Sequence, residues 1–163
     1  MARQFSLVAQ LAPVMLLAPA ADAAGRTSAF RSLRNALKAY IVCHVNQGNA
    51  ATVQLSVLQA TAVAGTNAKP ITNALPIWTN LNTGAADAYT KGTAATSFTT
   101  DVGVTDKLVI FEITPESCMD TTNGFDCIAV STGASNAANV TEAKLLVLGS
   151  IQGATLPNTY TDI

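Results

Sequence analysis

His44 is the single histidine of the chain, so any catalytic triad or imidazole base would have to use it. It lies in the run Tyr40-Ile41-Val42-Cys43-His44-Val45, which is typical of a strand, and no carboxylate lies within ten residues of it. Zinc needs three or four ligands, and Cys43 cannot join His44 because adjacent strand residues point to opposite faces. We therefore interpret His44 as a strand residue that is hydrogen bonded to a neighbour.

A second candidate for chemistry is the carboxylate group Glu112, Glu116, Asp120 and Asp126. Paired carboxylates can act as acid and base or bind calcium. However, Asp120-Thr121-Thr122-Asn123-Gly124 lacks the acidic residues at alternate positions that a calcium loop requires, and turn formation explains it. The sequence also lacks the phosphate-binding, zinc-protease and serine-hydrolase motifs. We predict a non-enzymatic protein with no catalytic residue, no metal and no cofactor.

The three cysteines, Cys43, Cys118 and Cys127, are an odd number and do not imply a complete disulfide framework. Cys43 alternates with apolar neighbours and is interpreted as a small core residue. Cys118 and Cys127 can meet if residues 119–126 form a tight hairpin, and a reduced, buried pair fits the sequence equally well. The sequence leaves both possibilities open.

Charged residues make up only 12% of the 163 residues, about half the usual share, while hydrophobic residues reach 49%. A surface with so few charges is poorly protected against association, which indicates a chain partly covered by neighbours. The net charge is −1, and the one basic cluster, Arg26, Arg31, Arg34 and Lys38, lies before the first predicted strand. Attraction to phosphate or anionic lipid needs a basic field, so we expect no direct nucleic-acid partner and no membrane.

Short apolar runs separated by Gly, Asn and Thr loops predict a mainly β domain, either a β-sandwich or a barrel-like domain. Residues 38–45 and 52–60 are predicted as a hairpin across Asn46-Gln47-Gly48-Asn49-Ala50. Further strands are predicted at 74–81, 107–114, 125–131 and 142–149, with Pro76 favouring an edge position for the first of them. The helical spacing of Phe30, Leu33 and Leu37 predicts one short helix within residues 27–37.

Residues 1–23 imitate a secretory signal, with Arg3, an apolar stretch and Ala21-Asp22-Ala23 as a small-x-small cleavage site. Pro13 and Pro19 interrupt the stretch and disfavour a helix, so an extended segment fits better. The predicted organisation is an extended N-terminal interaction arm (1–26), a β domain (27–150) and an irregular C-terminal tail (151–163).

An apolar arm needs a surface to lie on, either its own sheet or a neighbouring subunit. We expect that deleting residues 2–20 leaves the β domain folded but abolishes assembly. The residues predicted to contact another subunit are the apolar side chains of the arm, namely Phe5, Leu7, Leu11, Val14, Leu16 and Leu17.

Several turn and packing segments between about residues 24 and 148 resemble a family of small virion proteins of tailed bacteriophages. They are Ala24-Gly25-Arg26-Thr27, Leu33-Arg34-Asn35-Ala36, Asn46-Gln47-Gly48-Asn49-Ala50-Ala51, Ala64-Gly65-Thr66, Pro76-Ile77-Trp78-Thr79-Asn80, Gly124-Phe125-Asp126-Cys127 and Gly133-Ala134-Ser135-Asn136-Ala137-Ala138-Asn139. The resemblance implies a capsid decoration (cement) protein on the outer capsid surface. Its implied partners are copies of itself, often as trimers, and a major capsid protein, and the family has no catalytic residues to carry over.

Three alternatives remain at this stage. The protein could be a ring component of a phage neck or tail. It could be a secreted or periplasmic β-sandwich binding module with residues 1–23 as a signal peptide. A hydrolase using the carboxylates between residues 112 and 126 is the most distant of the three.

Overall fold

The computed structural model describes residues 7–149, which form two antiparallel sheets around one hydrophobic core. Sheet A contains, in spatial order, β1 (Ala12–Ala21), β12 (Asn139–Gly149), β4 (Ala36–Gln47), β10 (Asp106–Ile113), β7 (Ile77–Asn80) and β8 (Thr90–Lys91). Sheet B is built on β11 (Cys127–Thr132) and β5 (Gln54–Ala60). Its short strands are β2 (Arg26–Thr27) and β3 (Arg31–Ser32), which pair with β11, and β6 (Lys69–Pro70) and β9 (Ser97–Thr99), which pair with β5.

Alternating side chains explain how the two sheets share their core. On β4 the buried residues Ile41, Cys43 and Val45 alternate with partly exposed ones, and β10 repeats this pattern with Val109 and Phe111 buried. Successive strand residues point to opposite faces, so each sheet presents one apolar layer to the other. The prediction of a mainly β, sandwich-like domain is therefore confirmed.

The predicted hairpin of residues 38–45 and 52–60 is wrong, although both strands exist. β4 belongs to sheet A and β5 to sheet B, so the loop between them crosses from one sheet to the other. Gly48 fits this crossing because a Cβ atom there would lie 2.6 Å from the Ala138 carbonyl oxygen. The alternating pattern identified the strands but carried no information about their pairing.

The helix predicted within residues 27–37 is also wrong, because this segment forms β2, β3 and the start of β4. Leu33 is buried and Leu37 is exposed, so the helically spaced residues do not share one face. Asn35 has a φ of 66°, a left-handed conformation that interrupts a helix. Short helices lie elsewhere, at α1 (Leu7–Gln10) and at α2 (Pro115–Cys118), where Pro115 occupies the first turn.

Within the segment predicted as an N-terminal arm, residues 12–21 are extended and form the edge strand of the chain's own sheet, while α1 precedes them and residues 1–6 lie outside the described part of the chain. β1 pairs with β12 from Ala12 to Ala21, with two irregularities in register. Pro13 and Pro19 are tolerated there because an edge strand needs only one row of backbone donors. Within the described part of the chain, no helix is long and apolar enough to cross a membrane. The predicted tail, 151–163, lies outside the described residues.

Candidate interaction surface

Three of the four carboxylates that were candidates for acid–base chemistry have separate cationic partners, and the fourth, Glu116, is exposed on α2. Glu112 points outward from β10 and pairs with Lys38 at 3.1 Å, which raises the pKa of Lys38. Asp126 pairs with Arg34, and Asp120 pairs with Lys69. Among residues 7–149 there is no group of three or more His, Cys, Asp or Glu side chains arranged to hold a metal ion. The arrangement of these carboxylates is that of structural ion pairs.

His44 has two carboxylate neighbours that its local sequence does not contain. Its Nε2 lies 3.3 Å from Asp106 Oδ1, and its Nδ1 lies 3.8 Å from Glu142 Oε1. β10 and β12 bring these residues to either side of β4. In the described hydrogen-bond network no serine, threonine or cysteine is bonded to His44, so this cluster has no activated nucleophile. It forms part of a polar rim on sheet A.

All three cysteines are free thiols and buried, which answers the question left open for Cys118 and Cys127. Burial raises the pKa of Cys43 to about 12. Burial, with a hydrogen bond to Asp126, likewise raises the pKa of Cys127 to about 12. The thiolate is the reactive form, so these cysteines suit packing and not chemistry.

We expect Cys43 and Cys127 to resist alkylation by iodoacetamide at pH 8 in the native protein. A thiol with a pKa of about 12 has a thiolate fraction about a thousandfold lower than one with the ordinary value of 9.0. Mass spectrometry after native labelling checks this, and labelling in urea provides the control in which both sites react. Rapid native labelling of either residue would contradict the buried positions.

Asp120 forms hydrogen bonds with Lys69 and Asn123 beside sheet B, a cluster that we call the clasp. This cluster predicts how the stability of the fold changes at acid pH. Lys69 Nζ lies 2.6 Å from Asp120 Oδ2, and Asn123 Nδ2 donates to Asp120 Oδ1 at 2.8 Å. The hydrogen bond from Lys69, followed by that from Asn123, lowers the pKa of Asp120 below 3.8. A carboxyl group with a lowered folded-state pKa contributes stability above its ordinary pKa and loses it as the pH falls through the folded value.

The Asp120→Asn variant is therefore expected to show a flatter acid limb below about pH 4 than the wild type. Urea unfolding followed by circular dichroism across this range measures the effect. Glu116→Gln, which removes an exposed carboxylate from α2, serves as the matched control and should keep the wild-type slope. If the free energy of unfolding of Asp120→Asn changes with pH as it does in the wild type, the clasp does not contribute to stability.

The basic cluster does not form a continuous patch. Arg26 donates to Asp22, to the carbonyls of Ala18 and Ala20, and to the carbonyl of Thr141. The remaining members point to different places: Arg34 pairs with Asp126, Lys38 pairs with Glu112, and Arg31 lies on β3. Arg26 thus joins β1 to β12 within the chain.

The residues predicted to contact another subunit separate into two groups. Leu16 and Leu17 are 8% and 5% exposed and fill the chain's own core, so this structure leaves them unavailable to a neighbour. Val14 packs against that core, while Leu7 is exposed and Leu11 is partly exposed. Phe5 lies outside the described residues. The prediction is corrected for Leu16 and Leu17, because β1 inserts them between its own sheets.

The outward side of sheet A carries an apolar surface that the sequence did not single out. We call it the sheet A face, and its apolar members are Tyr40, Val42, Trp78, Leu108, Ile110 and Leu146. All six alternate with buried residues and are partly exposed. Register pairs place Lys144, Val42, Ile110 and Trp78 in one row across four strands. A solvated sheet face normally carries polar residues at these positions.

Sheet B provides the contrast within the same molecule. The residues that its central strands expose on the outward side are Gln54, Ser56, Leu58 and Ser131, while Ala129 and Cys127 on the same side are buried. Only one of these four is a large apolar residue. The apolar outer surface is therefore a property of sheet A and not of the whole fold, which marks it as the better candidate for contact with a partner.

Charged side chains surround the sheet A face and cover parts of its rings. Lys38 Nζ lies 5.2 Å from the centre of the Tyr40 ring, and Lys91 Nζ lies 5.7 Å from the centre of the Trp78 ring. Glu142 and Lys144 form an ion pair at 3.0 Å on β12. An apolar centre with aromatic residues and a polar rim is the usual anatomy of a protein interface. Comparison of the chain with protein-family models, with curated proteins and with solved structures found no match.

Proposed function

We propose that this protein is a structural component of a bacteriophage virion, a capsid decoration (cement) protein that stabilises the head shell through subunit contacts. The observation that carries the proposal is the sheet A face, an apolar outer sheet surface that sheet B does not repeat. The proposed partners are copies of the chain, as a trimer on the shell, and a major capsid protein. The proposed place is the outer capsid surface.

Two further features support a binding role without chemistry. Three of the four carboxylates that were candidates for catalysis, namely Glu112, Asp120 and Asp126, are each held in a separate ion pair. The low proportion of charged residues, 12%, suits a protein whose surface is covered in an assembly. The sequence resemblance to small virion proteins of tailed phages points in the same direction.

Electron microscopy and mass spectrometry of purified particles of a phage that encodes the chain test the proposal. A decoration protein is expected to be distributed over the capsid faces, and particles lacking it should lose heat resistance. A ring of defined copy number would instead identify the neck or tail component. Absence of the chain from purified particles would refute the proposal.

The secreted binding module remains the alternative from another class. Cleavage after Ala23 would remove β1 and the buried Asp22 from sheet A. This alternative therefore requires the remaining chain to fold without its edge strand. The intact mass of the mature protein decides the matter, because the full chain has a mass of 16.8 kDa and a cleaved chain lacks residues 1–23.

A further inference from the structure

We propose that the sheet A face binds the same face of a second copy, with the two-fold axis parallel to the strands and between β4 and β10. This contact belongs to the free protein and gives self-association a specific surface. Because the dimer covers the sheet A face, the pair has to separate before that face can contact the shell or form the proposed trimer. Symmetric dimers bury one patch against itself, so the patch must be complementary to its own rotated copy.

The pairing of residues across the strands of sheet A shows which side chains would meet in such a dimer. The rotation exchanges β4 with β10 and β12 with β7. In the central row, Val42 then faces Ile110 of the second copy, and Lys144 faces Trp78. A lysine above a tryptophan ring is a favourable cation–π arrangement. The centre of the interface is therefore apolar. At its sides, Lys144 approaches a Trp78 ring that Lys91 of the same chain already covers, with Lys91 Nζ 5.7 Å from the ring centre, while Glu142 lies 3.0 Å from Lys144 as a counter-charge.

The neighbouring rows contain no pair of like charges. Tyr40 faces Glu112 in one of them, and Asn46 faces Asp106 at the end nearest the loops. In the row that contains His44, this residue faces Leu108 of the second copy. Glu142 lies opposite the position of Asn80, which is buried in its own chain and donates to the Ala86 carbonyl. The charged members of this surface are Lys38, Lys91, Lys144, Asp106, Glu112 and Glu142, three of each sign, with His44 beside them. A neutral surface of this kind can approach its own copy without net repulsion.

The area of the sheet A face is close to that of a weakly bound dimer interface. Four strands spaced about 4.8 Å apart, over nine residues of β4, give roughly 500 Å² per copy. Two copies then bury about 1,000 Å², the lower limit for a specific interface. Association should therefore depend on concentration in the micromolar range, and it has to be measured over a dilution series.

Trp78 is the single tryptophan of the chain and lies on this face, so its fluorescence reports contact there. Analytical ultracentrifugation of the full chain should show the mass rising from 16.8 kDa to twice this value with concentration. Over the same range, Trp78 emission should shift to shorter wavelength and its quenching by acrylamide should fall.

Ile110→Lys places a charge at the centre of the face and should abolish the dimer. Ser56→Lys places the same charge on the outer side of sheet B, at another partly exposed strand position, and should leave the dimer intact. Val42→Lys tests the same contact from the other central strand, because the rotation places Val42 opposite Ile110 of the second copy. It should also abolish the dimer, since two copies would bury a charge without a partner. Circular dichroism of each variant checks that it folds.

Several results would overturn the proposal. One is a monomer at every concentration. Another is a dimer that Ile110→Lys and Val42→Lys leave unchanged, and a third is a dimer that Ser56→Lys weakens as strongly as Ile110→Lys does. Protection of Trp78 in a monomer that disappears on removal of residues 150–163 would assign the face to the chain's own C-terminal segment. Protection only after addition of a capsid shell would assign it to a different protein. The dimer experiments use the purified protein alone, and only the last comparison adds a capsid shell, so the dimer and the virion role can fail independently.

Discussion

Replacing Leu16 and Leu17 together with alanine is expected to lower the free energy of unfolding by about 4–8 kcal/mol. Both side chains are buried in the core between the sheets, and each Leu→Ala change at such a site costs about 2–5 kcal/mol. Total stability of a small domain is about 5–15 kcal/mol, so the double variant should be close to unfolded at room temperature. Urea unfolding followed by Trp78 fluorescence and circular dichroism measures the change.

Met15→Ala is the matched control, because Met15 lies on the same strand but is 46% exposed. Its substitution should change the free energy of unfolding by less than about 1 kcal/mol. If the double leucine variant is as stable as this control, β1 does not occupy the edge of sheet A in solution. The control therefore separates burial from any general effect of shortening side chains on this strand.

The same argument reverses the expectation that residues 2–20 can be deleted without unfolding the β domain. The deletion removes most of β1, both buried leucines, and the Ala18 and Ala20 carbonyls that accept hydrogen bonds from Arg26. We now expect the truncated protein to be unfolded or aggregated when expressed alone. The apolar stretch was interpreted as an arm because the sequence does not show whether such a segment lies on its own sheet or on a neighbour.

Strand positions were predictable where alternation or β-branched runs are strong. The runs 107–114 and 142–149 correspond to β10 and β12, and the turn at Asn123-Gly124 contains the left-handed Gly124. Strand partners were not predictable, because β4 and β5 have the same alternating pattern whether or not they pair. The packing of the whole core decides which strands pair, and a short stretch of sequence does not contain that information.

The sequence contains an indication of the sheet A face, namely a continuous apolar run that is also typical of a fully buried strand. The run Leu108-Val109-Ile110-Phe111 is apolar at successive positions, so it supplies apolar residues to both faces of its strand. Such a run is typical of a central strand, and β10 does lie between two others. The second apolar face, however, points outward. A continuous apolar run in an antiparallel sheet is thus a reason to look for a partner on the outer side.

The carboxylates beside His44 show the corresponding limit for polar residues. Asp106 and Glu142 are remote from His44 along the chain, and only the order of β10, β4 and β12 brings them to it. Asp22 shows more clearly that the local sequence does not reveal the environment of a polar residue. It was part of an apparent cleavage site in the sequence, and in the fold it is a fully buried residue.

Replacing Asp22 with alanine is expected to lower the free energy of unfolding by about 3 kcal/mol. Asp22 accepts hydrogen bonds from Thr141 Oγ1 and from Arg26, whose NH2 group lies 3.2 Å from Asp22 Oδ1. Its own backbone N–H donates to the Asn139 carbonyl. Alanine removes the side-chain partners and leaves the Thr141 hydroxyl, which is buried, without its acceptor. The cost arises from those unpaired groups more than from the lost attraction between charges.

Asp22→Asn separates these two contributions, because the amide oxygen can still accept from Thr141 while the negative charge beside Arg26 is lost. We expect its stability to lie between those of the wild type and Asp22→Ala. Asp87→Ala, at an exposed position, should stay within about 0.5 kcal/mol of the wild type in the same urea titration. Equal stability of Asp22→Ala and Asp87→Ala would mean that β1 is not joined to β12 by this network.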